Sequence, residues 1–388
     1  MTRGKTWIEE FPGNFVWSNA ALVTKGMAPY GAVALGEMDE VCERLRARQG
    51  EPDAWRAWAD EWSRMARRLE NAGDAAAAAG HQLSAGNAYL RAGMYEFTGE
   101  RFVPPGDEKR ALGQKAIALQ QAGILRRHAN VEVVEVPYDG ATLPALFMKA
   151  PGVTGRAPTI VVFDGMDNCK EMSVLFAGLE FAARGWHTLA IDGPGQGESL
   201  RLRGLAARHD YEVPGAAAYE WVAARGDVDA SRVGVMGYSF GGYYAARIAA
   251  LEPRYRAGVA FAALHWDLAG WQREITRRQD ADPKTTAQST FHFRWVMGCA
   301  DAEAAIAKAE TFSLVDVAPK IAMPFLIVHA EDDRVVPVAS AHKLHAAIRS
   351  PKKHLKIFTA ADGSTYHAQA DNRQAGIDYI ADWIGGTL

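Results

Sequence analysis

Between residues 36 and 127 the apolar positions recur at helical spacing. Val41, Leu45 and Arg48 fall at that spacing in a helix predicted over 36–49. Pro52 marks the start of a second helix over 53–71, in which Trp55, Trp58, Trp62, Met65 and Leu69 share one face. Asn71-Ala72-Gly73 is expected to end it, since glycine and asparagine favour the left-handed conformation of a helix stop. An alanine-rich helix is predicted over 74–95 and a fourth over 107–127. No repeat of fixed period runs through them. The preceding segment is marked by Trp7, Phe11, Phe15 and Trp17.

After residue 130 the period shortens to two. Segments 131–136 and 143–148 flank Tyr138-Asp139-Gly140, which predicts a hairpin. Strands over 159–163, 188–191, 233–236, 257–262, 325–329 and 355–358 then alternate with helices over 170–184, 216–224, 240–251, 339–348 and 374–384. Alternation with short connections predicts a mostly parallel, doubly wound α/β sheet, to which the hairpin adds an antiparallel edge. Between 264 and 312 the alternation lapses, and five tryptophans and histidines accumulate. This stretch reads as a lid insertion at the carboxyl ends of the strands, where such sheets place their sites. The expected division is an N-terminal helical cap domain over 1–127 and a sheet domain over 128–388. Cap and insertion together are expected to roof the site.

The 388 residues are 48% hydrophobic and 23% charged, with a formal net charge of −3. This balance, without a basic block, argues against nucleic acid or an anionic membrane surface as partner. No run of about 18 apolar residues predicts a membrane helix, and the first residues lack the apolar core of a secretory signal. Cys42, Cys169 and Cys299 are too scattered for a disulfide framework or a Cys-x-x-Cys zinc site. A reduced, cytoplasmic setting is the expectation.

Gly237-Tyr238-Ser239-Phe240-Gly241 is G-x-S-x-G between a predicted strand and a predicted helix. A serine there sits on a sharp turn, with small residues needed on both sides, and its hydroxyl lies at a helix N-terminus. Such a nucleophile needs a base, and the base an orienting acid, in the chain order serine, acid, histidine. Strand 325–329 runs into Glu331-Asp332-Asp333-Arg334-Val335-Val336-Pro337, and Asp333 has better spacing to the Val-Pro pair than Asp332. Asp267 is a rival acid position, read more simply as a polar residue at the start of the insertion. Among the histidines, His329 reads as core, His342 and His345 as a solvated helix face, and His354 as the start of a strand. His367 follows the last strand and precedes the last helix, where a base reaches a serine at the sheet centre.

The two amides of an oxyanion hole are expected from Phe240, next to the serine, and from Met166 in the loop Asp164-Gly165-Met166-Asp167. A carboxylate beside a forming oxyanion is unfavourable, so Asp164 and Asp167 either point outward or hold a substrate cation. Asp167, His265, Asp267, His292 and Tyr366 are the candidate substrate contacts. Asp192-Gly-Pro-Gly-Gln-Gly-Glu-Ser199 lacks the G-x-G-x-x-G spacing and a closely following helix, so it reads as a structural turn, not a phosphate loop. No motif implies a metal or a cofactor.

These motifs, with the helical stretch 84–95, Lys170-Glu171 after the oxyanion loop and His367-Ala-Gln-Ala-Asp-Asn372, resemble the α/β-hydrolases that carry an N-terminal helical domain. The groups most similar are the 2,6-dihydroxypseudooxynicotine hydrolase type, the fungal pigment polyketide-shortening hydrolases and the fermentation–respiration switch esterase-like proteins. The resemblance spans nearly the whole chain. It implies an α/β-hydrolase fold, triad roles for Ser239, Asp333 and His367, and, from the first two groups, hydrolysis of a carbon–carbon bond next to a ketone. Where the nicotine-pathway type has an acidic residue after Trp-Asp-Leu, this chain has Ala269. That departure argues against the same substrate, and the activity the resemblance implies is retro-Claisen hydrolysis of an aryl ketone or a polyketide-like 1,3-diketone, with a carboxylesterase as alternative. A non-catalytic partner-binding protein is the reading from another class, and an intact triad argues against it. The partner expected is a small carbonyl compound, with a homodimer left open.

Overall fold

The computed structural model describes residues 7–262, 266–281 and 290–388. The chain folds as two compact units, one of Met1–Ala129 with Ile275–Trp295, the other of Asn130–Glu274 with Val296–Leu388.

The first unit holds five helices near its start: α1 (Phe15–Lys25), α2 (Leu35–Arg48), α3 (Ala54–Ala78), α4 (Gln82–Glu100) and α5 (Asp107–Arg127). Helix α1 was not foreseen; Asn14 caps it by accepting a hydrogen bond from the Trp17 amide. The aromatic residues form the core of this unit. Phe11 meets Trp17 edge-on at 5.3 Å, Trp17 lies 5.1 Å from Trp58, and Trp58 lies 5.5 Å from Trp62 and 5.0 Å from Phe102. The Trp58 indole also donates to the Thr98 carbonyl at 2.8 Å.

The second helix does not end at Asn71-Ala72-Gly73. It continues through the alanine run to Ala78, and the left-handed stop is Gly80, at φ +81°. Gly73 has another purpose: a Cβ there would stand 2.6 Å from the Tyr89 ring, so it admits the close approach of α4. The third helix is displaced in consequence, from 74–95 to Gln82–Glu100. Helices α4 and α5 approach as closely, because Gly93 and Gly123 each face the backbone of the other helix.

The second unit is built on eight strands: β1 (Val131–Tyr138), β2 (Ala141–Met148), β3 (Ala157–Phe163), β4 (His187–Ile191), β5 (Val228–Tyr238), β6 (Ala257–Phe261), β7 (Phe325–Ala330) and β8 (Lys353–Phe358). Their order is β1-β2-β4-β3-β5-β6-β7-β8. Strand β2 is antiparallel to β1 and β4, and all other pairs are parallel. The hairpin turns at Asp139 and Gly140, both at positive φ, as a two-residue turn requires. The order reverses at β3, whose last residue Phe163 pairs with Ile191 on one side and Gly237 on the other. That reversal opens a crevice at the carboxyl ends of β3 and β5.

Helices α6 (Glu212–Ala223), α7 (Phe240–Leu251), α8 (Leu268–Ala281), α9 (Thr290–Met297), α10 (Ala302–Ala309), α11 (Ala339–Ala347) and α12 (Arg373–Gly385) follow in order. Two expectations need correction. The helix predicted over 170–184 is interrupted by a π-turn at Val174–Gly178, which sets Phe176 edge-on against Tyr238 at 5.2 Å. The loop after Asp192 does lead into a helix, the short Gly197–Arg201, because the Asp192 carboxylate accepts the Glu198 amide at 2.8 Å.

Gly123→Ala would place a methyl 2.6 Å from the Leu90 backbone and is expected to lower stability by about 1–3 kcal/mol. Gly36→Ala, where nothing lies within 4 Å, is expected to be neutral or stabilising by up to about 1 kcal/mol. Thermal denaturation of the two variants separates close packing from generic glycine replacement, and equal melting shifts would contradict it.

Candidate active site

Strand β5 ends at Tyr238 and α7 begins at Phe240, so Ser239 alone makes the turn, at φ 55° and ψ −119°. This conformation costs a non-glycine residue about 1–3 kcal/mol and persists only where the surroundings enforce it. Here they do. A Cβ at Gly237 would overlap the Gly241 carbonyl, and one at Gly241 would stand 2.5 Å from the carbonyl oxygens of Phe163 and Asp164. The Ser239 amide donates to the Phe261 carbonyl at 2.8 Å. The hydroxyl is thereby held above the sheet, half-buried.

The structure brings Ser239, His367 and Asp333 into one hydrogen-bonded line. His367 Nε2 lies 2.8 Å from Ser239 Oγ, and Nδ1 lies 2.7 Å from Asp333 Oδ2. Asp333 Oδ1 accepts the amides of Val335 at 2.9 Å and Val336 at 2.8 Å. Burial alone would raise this carboxyl, but the charge and hydrogen bond of His367 and the hydrogen bond of the Val336 amide outweigh it and hold it below the usual carboxylate range. An ionised Asp333 favours the proton on Nδ1, which leaves Nε2 free to accept a hydrogen bond from the Ser239 hydroxyl.

Three supporting groups were not foreseen. His329 is core, as expected, but its Nε2 also lies 3.4 Å from Asp333 Oδ2 and donates to the Val336 carbonyl at 3.0 Å. Burial lowers its pKa, so it stays neutral. The Asp371 carboxylate accepts from Ser364 Oγ at 2.9 Å and the Thr365 amide at 3.0 Å, bracing the loop before His367. The Trp271 indole of α8 donates to the Val335 carbonyl at 2.7 Å, tying the start of the insertion to the acid loop. The four-residue spacing of His329 and Asp333 is a local signal, and Asp371 lies within seven residues of both its partners, whereas the Trp271 contact spans 64 residues.

Gly165 faces the serine: a Cβ on it would stand 3.2 Å from Ser239 Cβ. In the same loop the Asp167 and Asn168 amides donate to the carbonyls of Gly195 and Gly165, both at 3.3 Å. The Met166 amide has no partner among the described residues, and Phe240 is the first residue of α7. The flanking aspartates do neither of the things expected of them. Asp164 is fully buried and its carboxyl accepts a hydrogen bond from the Ser173 hydroxyl. Asp167, at φ 56°, is buried too; its carbonyl accepts from Arg201 at 2.7 Å and its carboxylate pairs with Arg201 at 3.3 Å. Its charge is met inside the fold, which removes the reason to assign it a substrate cation.

The other candidates have local partners. Asp267 is exposed and accepts the Gly270 amide at 2.9 Å as a cap for α8. His292 lies on α9, edge-on to Trp295 at 6.0 Å. Tyr366 adjoins His367, and its amide donates to Asp371 at 3.3 Å. His265 lies outside the described residues.

The depressed Asp333 carboxyl carries a pH signature. Its unfolded counterpart titrates near pH 4, at about 3.9. The stabilisation from its ionised form is therefore present above that value and lost as pH falls through the lower folded value. In urea unfolding, the stability of the wild type relative to Asp333→Asn should be flat from about pH 5 down to 4 and decline below it. A difference that grows on acidification would contradict the assignment.

Comparison with known proteins agrees with this architecture. Residues 179–388 match the prolyl oligopeptidase family. A hydrolase of Fusarium sp, LUC6, is 28% identical over 92% of this chain and 93% of its own. The 2,6-dihydropseudooxynicotine hydrolase of Paenarthrobacter nicotinovorans is 27% identical over 79% of this chain and 78% of its own. The crystal structure of a 2,6-dihydroxy-pseudo-oxynicotine hydrolase superposes with a TM-score of 0.75, covering 94% of this chain and 95% of that one at 24% identity. No helix among the described residues is long and apolar enough to cross a membrane. With a reversal point in its sheet, a strained serine at that point and relatives of this kind, the chain belongs to the prolyl oligopeptidase family and is a hydrolase of the α/β-hydrolase fold.

Proposed function

We propose that this hydrolase works through an acyl-enzyme on Ser239 and cleaves a carbon–carbon bond next to a ketone. The observation that carries the first half is the line Asp333–His367–Ser239, at 2.7 and 2.8 Å, on a serine held in a strained turn. His367 Nε2 takes the hydroxyl proton as Oγ attacks the substrate carbonyl, and the Phe240 and Met166 amides receive the oxyanion. The tetrahedral centre collapses. The carbon–carbon bond breaks with its electron pair on the leaving carbon, which accepts the proton from His367. Water, deprotonated by the same histidine, then frees the acyl group and restores Ser239.

The nature of the bond follows from what must leave. An alkoxide departs unaided, whereas a carbanion departs only if delocalised into an enolate or an aromatic ring. The substrate class that fits is therefore an aryl ketone or a 1,3-diketone. Support for this choice over an ester comes from the likeness to the nicotine-pathway and fungal polyketide hydrolases. A carboxylesterase, which needs the same triad and no carbanion stabilisation, is the second reading. The protein is read as acting in the cytoplasm on a small carbonyl compound.

Ser239→Ala should lower kcat by roughly 10³-fold or more with an unchanged fold, because triad members act as a unit. Wild-type turnover by that variant would refute the nucleophile. Aryl 1,3-diketones and aryl esters sharing one acyl group, assayed in parallel, decide the bond. Turnover of the diketones supports carbon–carbon cleavage, and turnover of esters alone across a range of acyl sizes rejects it.

A further inference from the structure

We infer that Asp164 is a neutral carboxylic acid sharing its proton with the Asp192 carboxylate, and that this buried pair positions the loop that presents Met166 to Ser239. Asp164 directly follows β3, and Asp192 directly follows β4. Both are wholly buried, and because Phe163 pairs with Ile191 in parallel strands the two aspartates stand side by side. Two buried carboxyl groups brought together in this way avoid repulsion only if one keeps a proton.

The donors around the pair say which one. Asp192 is surrounded by N–H groups: Oδ1 accepts the Lys170 amide at 2.7 Å, and Oδ2 accepts Lys170 Nζ at 3.1 Å and the Glu198 amide at 2.8 Å. Asp164 receives only hydroxyls, Ser173 on Oδ1 and more distantly Tyr238 at 3.4 Å. Its Oδ2 is buried and accepts from no donor among the described residues, the pattern of an oxygen that carries the proton itself. The local charge agrees. The buried ammonium beside the pair, Lys170, already serves Asp192 at 3.1 Å and Glu171 and Glu198 at 2.9 Å, and Arg203 joins Glu198 at 2.9 Å. Three carboxylates thus already face two cations, and a fourth would add to the excess. Burial first, and then the charges of Asp192 and Glu171, push the Asp164 carboxyl far above the usual range. The remaining titratable neighbours, Cys169, Tyr238 and Tyr211, are held neutral by burial.

The consequence for the site is positional. The Asp164 side chain links the end of β3 to Ser173 and β4, while its carbonyl accepts from the Gln196 side chain and abuts Gly241 of the serine turn. The next two residues are Gly165, against Ser239, and Met166. A neutral acid anchors this loop without setting a negative charge behind the forming oxyanion. This role rests on the reading of Ser239 as nucleophile; the protonation state does not.

Two measurements test it separately. An infrared difference spectrum of wild type against Asp164→Asn at neutral pH should contain the carbonyl band of a protonated carboxylic acid, and its absence would overturn the proton assignment. In steady-state assays Asp164→Asn, which can still donate to Asp192, should keep kcat within about threefold, whereas Asp164→Ala should lose about 10- to 10²-fold in kcat with KM little changed. Equal activity of all three, or equal loss in both variants, would overturn the positioning role. If the alanine variant does not fold, Ser173→Ala replaces it, with a smaller kcat loss expected and no change counting against the role. Persistent activity in Ser239→Ala would refute the nucleophile instead, leaving the infrared result untouched.

Discussion

The contact on which the rest of the site depends is between backbones. Gly241, in the first turn of α7, lies so close to the carbonyls of Phe163 and Asp164 that no side chain fits between them. It joins the end of β3 to the turn after β5, the two strands flanking the crevice of the sheet. The serine cannot relax from its strained φ without separating these elements, and the loop that follows β3 is brought under it by the same contact. Register therefore does the positioning. Phe163 pairs with Gly237, and the residues just beyond each, Asp164-Gly165 and Tyr238-Ser239, meet above the sheet.

Two of the buried aspartates around the site stand in opposite protonation states. Asp333 is met by two backbone amides and an imidazole, whose hydrogen bonds and charge overcome the cost of burial. Asp164 is met by hydroxyls and by another carboxylate, so burial wins and the group keeps its proton. Environment divides the chemistry of one side chain into an orienting anion on the histidine side of the serine and a neutral anchor on the oxyanion side. Neutral His329 beside Asp333 belongs to the same economy, since it contributes a hydrogen bond without a second positive charge.

What was legible in the sequence was whatever is encoded locally. A strand, a tight glycine-flanked turn and a helix point to Ser239 from one contiguous stretch, 233–251, and strand-end position points to Asp333 and His367 without any knowledge of contacts. The sheet was legible for the same reason, because alternating elements leave few topologies open. The failures share one cause. Gly73 looks like a helix stop until Tyr89 is seen packed on it from another helix. Asp164 and Asp167 look like exposed loop acids until burial turns them toward Ser173, Asp192 and Arg201. Helix α1 carries its aromatic residues for a core assembled from α3 and the segment after α4, and its own sequence gives no clean period. In each case the deciding neighbour is distant in the chain.

The central claim is that the hydroxyl of Ser239, and no other nucleophile, carries the acyl group. A fluorophosphonate probe followed by peptide mass spectrometry reads this directly, independently of which substrate the enzyme takes. The account predicts a single adduct on the peptide containing Ser239 in the wild type and none in Ser239→Ala. An adduct on a different residue, or full labelling of the Ser239→Ala protein, would contradict it.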